Sequence, residues 1–438
     1  MTFPKRGEVL VEGTVSVGFE PLRRLFTQNM RRQAEVNAQL CIYVGEDCVV
    51  DLYGTAVGDT DYSGETLANV FSSGKSLEAI ALASLVSSQR LDYNAKICEH
   101  WPEFTGDGKE SLTIADLMRH EAGLSSLNVS IEPRDLWRDN IKANKIGEVL
   151  ASPPLRFPQD TPREYHAMTR GWIANEVFRR VDPLGRTIGE FLCEDLCPGL
   201  EADVHIGLNE EQLGLRSPVI PLDLRAHLLQ SLLPKVMGRK VKHNIFELGS
   251  NILPLVQSMR KSSTPFYLRS LFGGQGRRPT GGSPPPLIGM DEIGFFNHPS
   301  VARGETPSAN THGTARGLAR IAGMMACGGE WWGKRYLSEK AWADMHAEPV
   351  YRSMGMEVTF TQGGVAQFGA TSHGSAAMTR ALNKGREGFY GWMGLGGSIF
   401  QWHPEKQIGF SFVPTALHVL DFVNERGKVF QAAALRCL

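Results

Sequence analysis

Ser72 and Lys75, in Phe71-Ser72-Ser73-Gly74-Lys75-Ser76, are the residues whose types and spacing could carry chemistry. A serine hydroxyl is a weak nucleophile at neutral pH and needs an adjacent base. The apolar run Leu77, Ile80, Ala81, Ala83, Leu85 that follows predicts a largely buried helix. If that helix starts near Ser72, a spacing of three puts both side chains on one face, at the positive end of the helix dipole. A lysine can serve as the base only if its pKa falls about 3 units from its reference value near 10.4, and burial beside a positive helix end pushes it that way. Ser-x-x-Lys is a weak signal alone, since the bland alternative is an ordinary helix start. A second match, Ser258-Met259-Arg260-Lys261, leads into Ser262, Ser263, Thr264 and Pro265 and reads as a solvated turn.

A serine–lysine pair also needs a group that moves the proton to the leaving atom. Tyr165, in Pro162-Arg163-Glu164-Tyr165-His166-Ala167, precedes the helical pattern Trp172, Ile173, Val177, Phe178. It is the third member of choice, because a tyrosine beside an ammonium can approach the phenolate and act as a base. Its alternative is a half-buried aromatic on a loop. His120 falls at the end of a short helix and is read as structural. Cys193 and Cys197 lack a second pair or a nearby histidine, which argues against zinc. No Gly-x-Ser-x-Gly elbow exists, against a Ser–His–Asp hydrolase.

The elements that must hold these residues come from both ends of the chain. Residues 18–37 carry Phe19, Leu22, Leu25, Phe26 and Met30 at helical spacing, followed by strands over 38–44 and 48–53 with a turn at 45–47. Thr113 caps a short helix predicted to stop at Gly123, and residues 125–260 read as mainly helical. The Gly/Pro-rich run 272–286 reads as a flexible loop, followed by a helix over 314–325. Strands over 398–402 and 407–413 and a helix over 418–436 close the chain. The expected architecture is α+β. Residues 1–71 and 314–438 would build an antiparallel sheet flanked by helices, and 72–313 a mainly helical subdomain carrying the Ser-x-x-Lys helix.

The 438 residues carry a net charge of −1 with charges well mixed, so neither nucleic acid nor an anionic membrane is expected as partner. No apolar run is long enough to span a membrane, and the first residues lack the apolar core of a signal peptide. Seven scattered cysteines fit free thiols in a reducing, cytoplasmic setting.

Together these stretches resemble the serine β-lactamase and penicillin-binding-protein superfamily, most closely its family VIII carboxylesterase branch. The resemblance runs through Phe71–Lys75, Trp101-Pro102-Glu103-Phe104, Leu117–Leu124, Tyr165–Trp172, Asn310–Arg316 and Gly391–Ser398. It implies Ser72 as nucleophile, Lys75 as its base and Tyr165 as proton shuttle. It further implies that Trp392-Met393-Gly394 lies on the strand beside the nucleophile, with the oxyanion between the backbone N–H groups of Ser72 and about Leu395. Gly394 and Gly396 there would let the backbone approach the substrate. Class C β-lactamases have Tyr-x-Asn where this chain has Tyr165-His166-Ala167, and Lys-Thr-Gly where it has Trp392-Met393-Gly394. A tryptophan in place of that ammonium is an apolar wall that suits a neutral ester or acyl group, its alternative being a plain core aromatic. The expected activity is hydrolysis of small carboxylic esters through a Ser72 acyl-enzyme, with no cofactor or metal and a small-molecule substrate. The alternatives are an acyltransferase, a D-amino-acid peptidase or β-lactamase on the same machinery, or a non-catalytic structural relative.

Overall fold

The computed structural model describes residues 7–157, 161–250, 253, 284–371 and 375–438. Its centre is a nine-stranded antiparallel sheet. Three strands come from the start of the chain: β1 (Leu10–Val15), β2 (Asn37–Val44) and β3 (Asp47–Thr55). Six come from its end: β4 (Val350–Ser353), β5 (Glu357–Phe360), β6 (Ala366–Gln367), β7 (Tyr390–Met393), β8 (Ile399–His403) and β9 (Ile408–Pro414). The spatial order is β1-β3-β2-β9-β8-β7-β6-β5-β4, so the two ends of the chain meet where β2 pairs with β9. There Leu40 lies opposite Phe412 and Ile42 opposite Phe410.

Alternation along the strands feeds two cores. Leu40, Ile42, Ile399, Phe410 and Phe412 face a core shared with Leu22, Phe26 and Met30 of helix α1 (Glu20–Arg32) and Phe430 of helix α5 (Glu425–Cys437). Cys41, Tyr43, Phe400 and Trp402 face the opposite core. This second core holds helices α2 (Lys75–Ser87), α3 (Thr169–Val181) and α4 (Ala315–Ala326). Helix α2 is apolar nearly all round and runs buried through the molecule, as a helix without a polar face must.

The hairpin and the C-terminal strand pair form as their patterns predict. Three helix boundaries differ. The first helix ends at Arg32 and not near 37, because Gln33 is extended and Ala34 and Val36 are buried on the way into β2. The closing helix starts at Glu425, since Leu420, Phe422 and Val423 lie in a turn that ends at Asn424 with φ +51°. The short helix from Thr113 carries a capping box with Asp116 and stops at Met118; His120, at φ +65°, takes the left-handed position ahead of Gly123. The stretch 125–250 is less helical than expected, with α3 its longest helix and 152–168 without one among the described residues. The Ser258–Lys261 match and residues 272–283 of the Gly/Pro-rich run lie outside the described residues.

Candidate active site

Ser72 stands on a backbone turn built from three directions. The two-residue strand Ala68–Asn69 pairs with His312–Gly313, and Val70 N donates to Thr311 O at 2.8 Å. Phe71 has φ +47°, a left-handed conformation that bulky residues rarely adopt and that clusters at functional sites. Its N–H is held by Asn69 Oδ1 at 2.8 Å. Residues Phe71–Gly74 form a 3-10 turn and the α-helix begins only at Lys75, so Ser72 sits on the tight turn ahead of α2. Gly74 is there because a Cβ would strike Thr311 and the Pro307 carbonyl.

Lys75 is 1% exposed, and its Nζ lies 3.4 Å from Ser72 Oγ. Nζ also donates to Ala167 O at 2.8 Å and Ser308 O at 3.1 Å. A neutral amine has two hydrogens, and these carbonyls take both, which leaves the lone pair facing the serine. Burial drives the Lys75 pKa well below the ordinary lysine range; Glu78 opposes this and Arg170 adds to it. Glu78 is itself engaged, in a fully buried ion pair with Arg170 at 2.8 Å and by the Ser308 hydroxyl. Its opposition is therefore shared with a guanidinium that also donates to Lys75 O at 2.8 Å.

Tyr165 comes from the irregular stretch ahead of α3. The Lys75 amine lies 4.8 Å from the centre of its ring, and its hydroxyl hydrogen-bonds Ser72 and accepts from Trp392 Nε1 at 3.1 Å. Desolvation pushes its pKa up to about 12, against the lowering by those two hydrogen bonds. The phenol is thus protonated, the reverse of the phenolate that a neighbouring ammonium would draw out. Behind it, His166 N donates to His120 Nδ1 at 3.0 Å and Leu124 N to His166 Nε2 at 3.0 Å. Burial pushes His120 well below its ordinary pKa and His166 down to about 4. His120 packs its ring 4.8 Å from that of Tyr165 and accepts from His166 N, which braces the loop.

The Trp392–Gly396 segment closes the other side. Trp392 N donates to Ser76 Oγ at 3.0 Å, which seats β7 beside the start of α2. A Cβ on Gly394 would collide with Val70 O and Ser398 Oγ, while Gly396, at φ +77°, packs on Leu417. Both glycines thus allow the segment to approach its own chain, a reason additional to room for a substrate. Neither the Ser72 nor the Leu395 backbone N–H meets an acceptor among the described residues.

Sequence reasoning missed the groups that hold this segment from behind. Asn424 Nδ2 donates to Gly394 O at 3.0 Å and Ser398 O at 2.9 Å. Arg426 donates to Gly396 O at 2.6 Å and pairs with Glu35 at 2.6 Å, both side chains fully buried. A contact 391 residues apart has no local signature. Glu78 was within reach, as a carboxylate one turn beyond Lys75 inside an apolar helix. Among the described residues, no group of three or more His, Cys, Asp or Glu side chains is placed to hold a metal. Nor is any described helix long and apolar enough to cross a membrane.

The chain is 27% identical over 386 residues to the Esterase/beta-lactamase LipL of Mycobacterium tuberculosis (strain ATCC 25618 / H37Rv), covering 86% of this chain and 76% of that one. Its fold is similar to that of a family VIII carboxylesterase, with a TM-score of 0.74 and 24% identity over 98% of this chain and 100% of that one. A penicillin-binding protein homologue from Caulobacter crescentus shares the fold at TM-score 0.70, with 24% identity and the same two coverages. The Beta-lactamase family model matches residues 22–434, nearly the whole chain. The chain belongs to the Beta-lactamase family and has its serine-hydrolase fold.

Proposed function

We propose that the protein is a serine carboxylesterase that cleaves small carboxylic esters through a Ser72 acyl-enzyme. The observation that carries this reading is the Lys75 amine, with two carbonyls at 2.8 and 3.1 Å and the serine hydroxyl at 3.4 Å. Ser72 Oγ attacks the ester carbonyl carbon as its proton passes to the Lys75 lone pair. The oxygen that gains the carbonyl electron pair lies between the N–H groups of Ser72 and Leu395. Tyr165 then gives its phenolic proton to the departing alkoxide and is re-protonated from Lys75. Water repeats the cycle on the acyl-enzyme and releases the acid. The 3.4 Å separation is loose for proton transfer, as such contacts often are before substrate binds.

The ester preference rests on Trp392, an apolar ring buried beside Tyr165 where class C enzymes carry a cation. Labelling with a fluorophosphonate and mapping the modified peptide tests the assignment, beside turnover of p-nitrophenyl butyrate. Label on Ser72 alone is expected, with Ser72→Ala lowering turnover by ~10⁴ or more. A label on another serine, or more than about a tenth of the parent rate in Ser72→Ala, removes Ser72 from the role.

A further inference from the structure

The helix Leu224–Leu232 is turned inside out. It buries Ala226, His227 and Ser231 and directs Leu228, Leu229 and Leu232 outward. Positions 228, 229 and 232 share one face of a helix. Leu229 and Leu232 are each 61% exposed, and the following 3-10 turn, Lys235–Met237, extends the surface with Val236 at 95% and Met237 at 69%. A single exposed leucine is ordinary, but five apolar side chains between 228 and 237 mark an interaction surface.

Buried polar contacts fix this orientation. The His227 ring stands 5.7 Å from that of His418, Ala34 N donates to Lys240 O at 2.9 Å, and His243 pairs with Asp421 at 3.1 Å. The chain leading into this helix is tied to the candidate active site, because Leu222 N donates to Leu417 O at 3.1 Å and Leu417 packs on Gly396.

Charge selects the occupant. Between the flanking carboxylates Asp223 and Glu247 the chain has Arg225, Lys235, Arg239, Lys240 and Lys242 and no acidic residue, although the whole chain sums to −1. The well-mixed average that argued against an anionic membrane conceals this segment. Arg225 and Lys235 are exposed at the leucine face. Leucines flanked by cations fit an anionic lipid surface, where apolar side chains enter the headgroup boundary and cations meet phosphates. A second copy fits less well, since a two-fold contact would bring the same cations together.

We propose that the 224–237 face docks the protein on an anionic lipid surface. This goes beyond the esterase reading and is measured without turnover, so either can fail alone. The test is flotation of the full chain with vesicles of phosphatidylcholine, with and without phosphatidylglycerol. Capture by the phosphatidylglycerol vesicles is expected. It should weaken at least about tenfold in Leu229→Asp/Leu232→Asp and about fivefold in each of Arg225→Gln and Lys235→Gln. The parent melting temperature and soluble-ester turnover should persist in these variants, because the side chains changed are exposed. Equal capture by both vesicle types overturns the proposal, as does undiminished capture of the double-leucine variant. A dimer in solution that this variant splits would also overturn it, by assigning the face to a second copy.

Discussion

The fold suits Lys75 to the role of base that we propose for it. Its helix is largely apolar, two main-chain carbonyls accept from its amine, and the Glu78 carboxylate nearby faces a guanidinium. Depressing a lysine pKa favours the neutral amine, so the charged, inactive form accumulates only as pH falls through the lowered value. Activity should therefore rise with pH along a single acid limb and then stay level. Tyr165, held up at about 12, supplies no alkaline limb near neutrality. A kcat/KM profile for a non-ionising ester checks this, and a flat profile from about pH 5 to about pH 9 with chemistry rate-limiting would remove Lys75 as the base. Lys75→Met and Lys75→Arg should both lose ~10⁴ in kcat, the latter because arginine does not deprotonate in proteins. Tyr165→Phe keeps the ring on the amine but removes the donor, so kcat should drop by roughly 10²–10⁴ with little change in melting temperature. A Tyr165→Phe enzyme within a factor of about three of the parent would return the shuttle to water.

At the scale of elements, the segment carrying Leu395 depends on parts distant in sequence. Arg426 and Asn424, at the start of α5, hold Gly394, Gly396 and Ser398 by their carbonyls, and Glu35 ahead of β2 pairs with Arg426. Arg426→Met leaves the Glu35 carboxylate buried without its partner, and loss of about 3–5 kcal/mol of stability is expected. Glu35→Leu/Arg426→Met removes both charges and should recover most of that in urea unfolding. It should not recover kcat, because the bond to Gly396 O is still missing; recovery of both would show that the clamp serves the fold alone. Periodicity reveals α1, α2 and the strand pairs, because burial on a regular face writes a repeat into the chain. It does not reveal where a helix must stop for the chain to reach its next strand. Residues 33–36 and 418–424 are apolar enough to extend a helix on paper, yet they are the stretches that carry Glu35 and Asp421 to their buried partners.

For the molecule as a whole, the candidate site lies where segments from the middle of the chain meet the sheet made from its ends. On the division expected from the sequence, Ser72, Lys75 and Tyr165 belong to the helical part and Trp392–Gly396 to the sheet part. The motifs and their order were legible because each is a local string; the Lys75–Ala167–Ser308 contact and the Glu78–Arg170 pair were not, because they exist only once those parts are packed. On the proposed function, the same assembly would set selectivity. Among the described residues, two other cations near the site, Arg163 and Arg170, could have held a carboxylate, yet both are occupied. Arg163 is buried against Glu121 at 2.6 Å and donates to Val358 O at 2.7 Å, while Arg170 is bound to Glu78 and to the carbonyls of Lys75, Met118 and Gly364. A β-lactam would therefore forgo a charge-assisted hydrogen bond of ~1.5–3 kcal/mol, roughly ten- to a hundredfold in recognition. On the proposed function a neutral ester would forgo nothing and would pack on Trp392. The ratio of kcat/KM for p-nitrophenyl butyrate to that for a chromogenic cephalosporin should favour the ester, and Trp392→Lys should move it towards the lactam. The Trp392→Lys change also removes the Nε1 bond to Tyr165, so ester turnover is expected to fall in the same variant. A parent enzyme that prefers the lactam, or a ratio unmoved by Trp392→Lys, would place the substrate away from this wall.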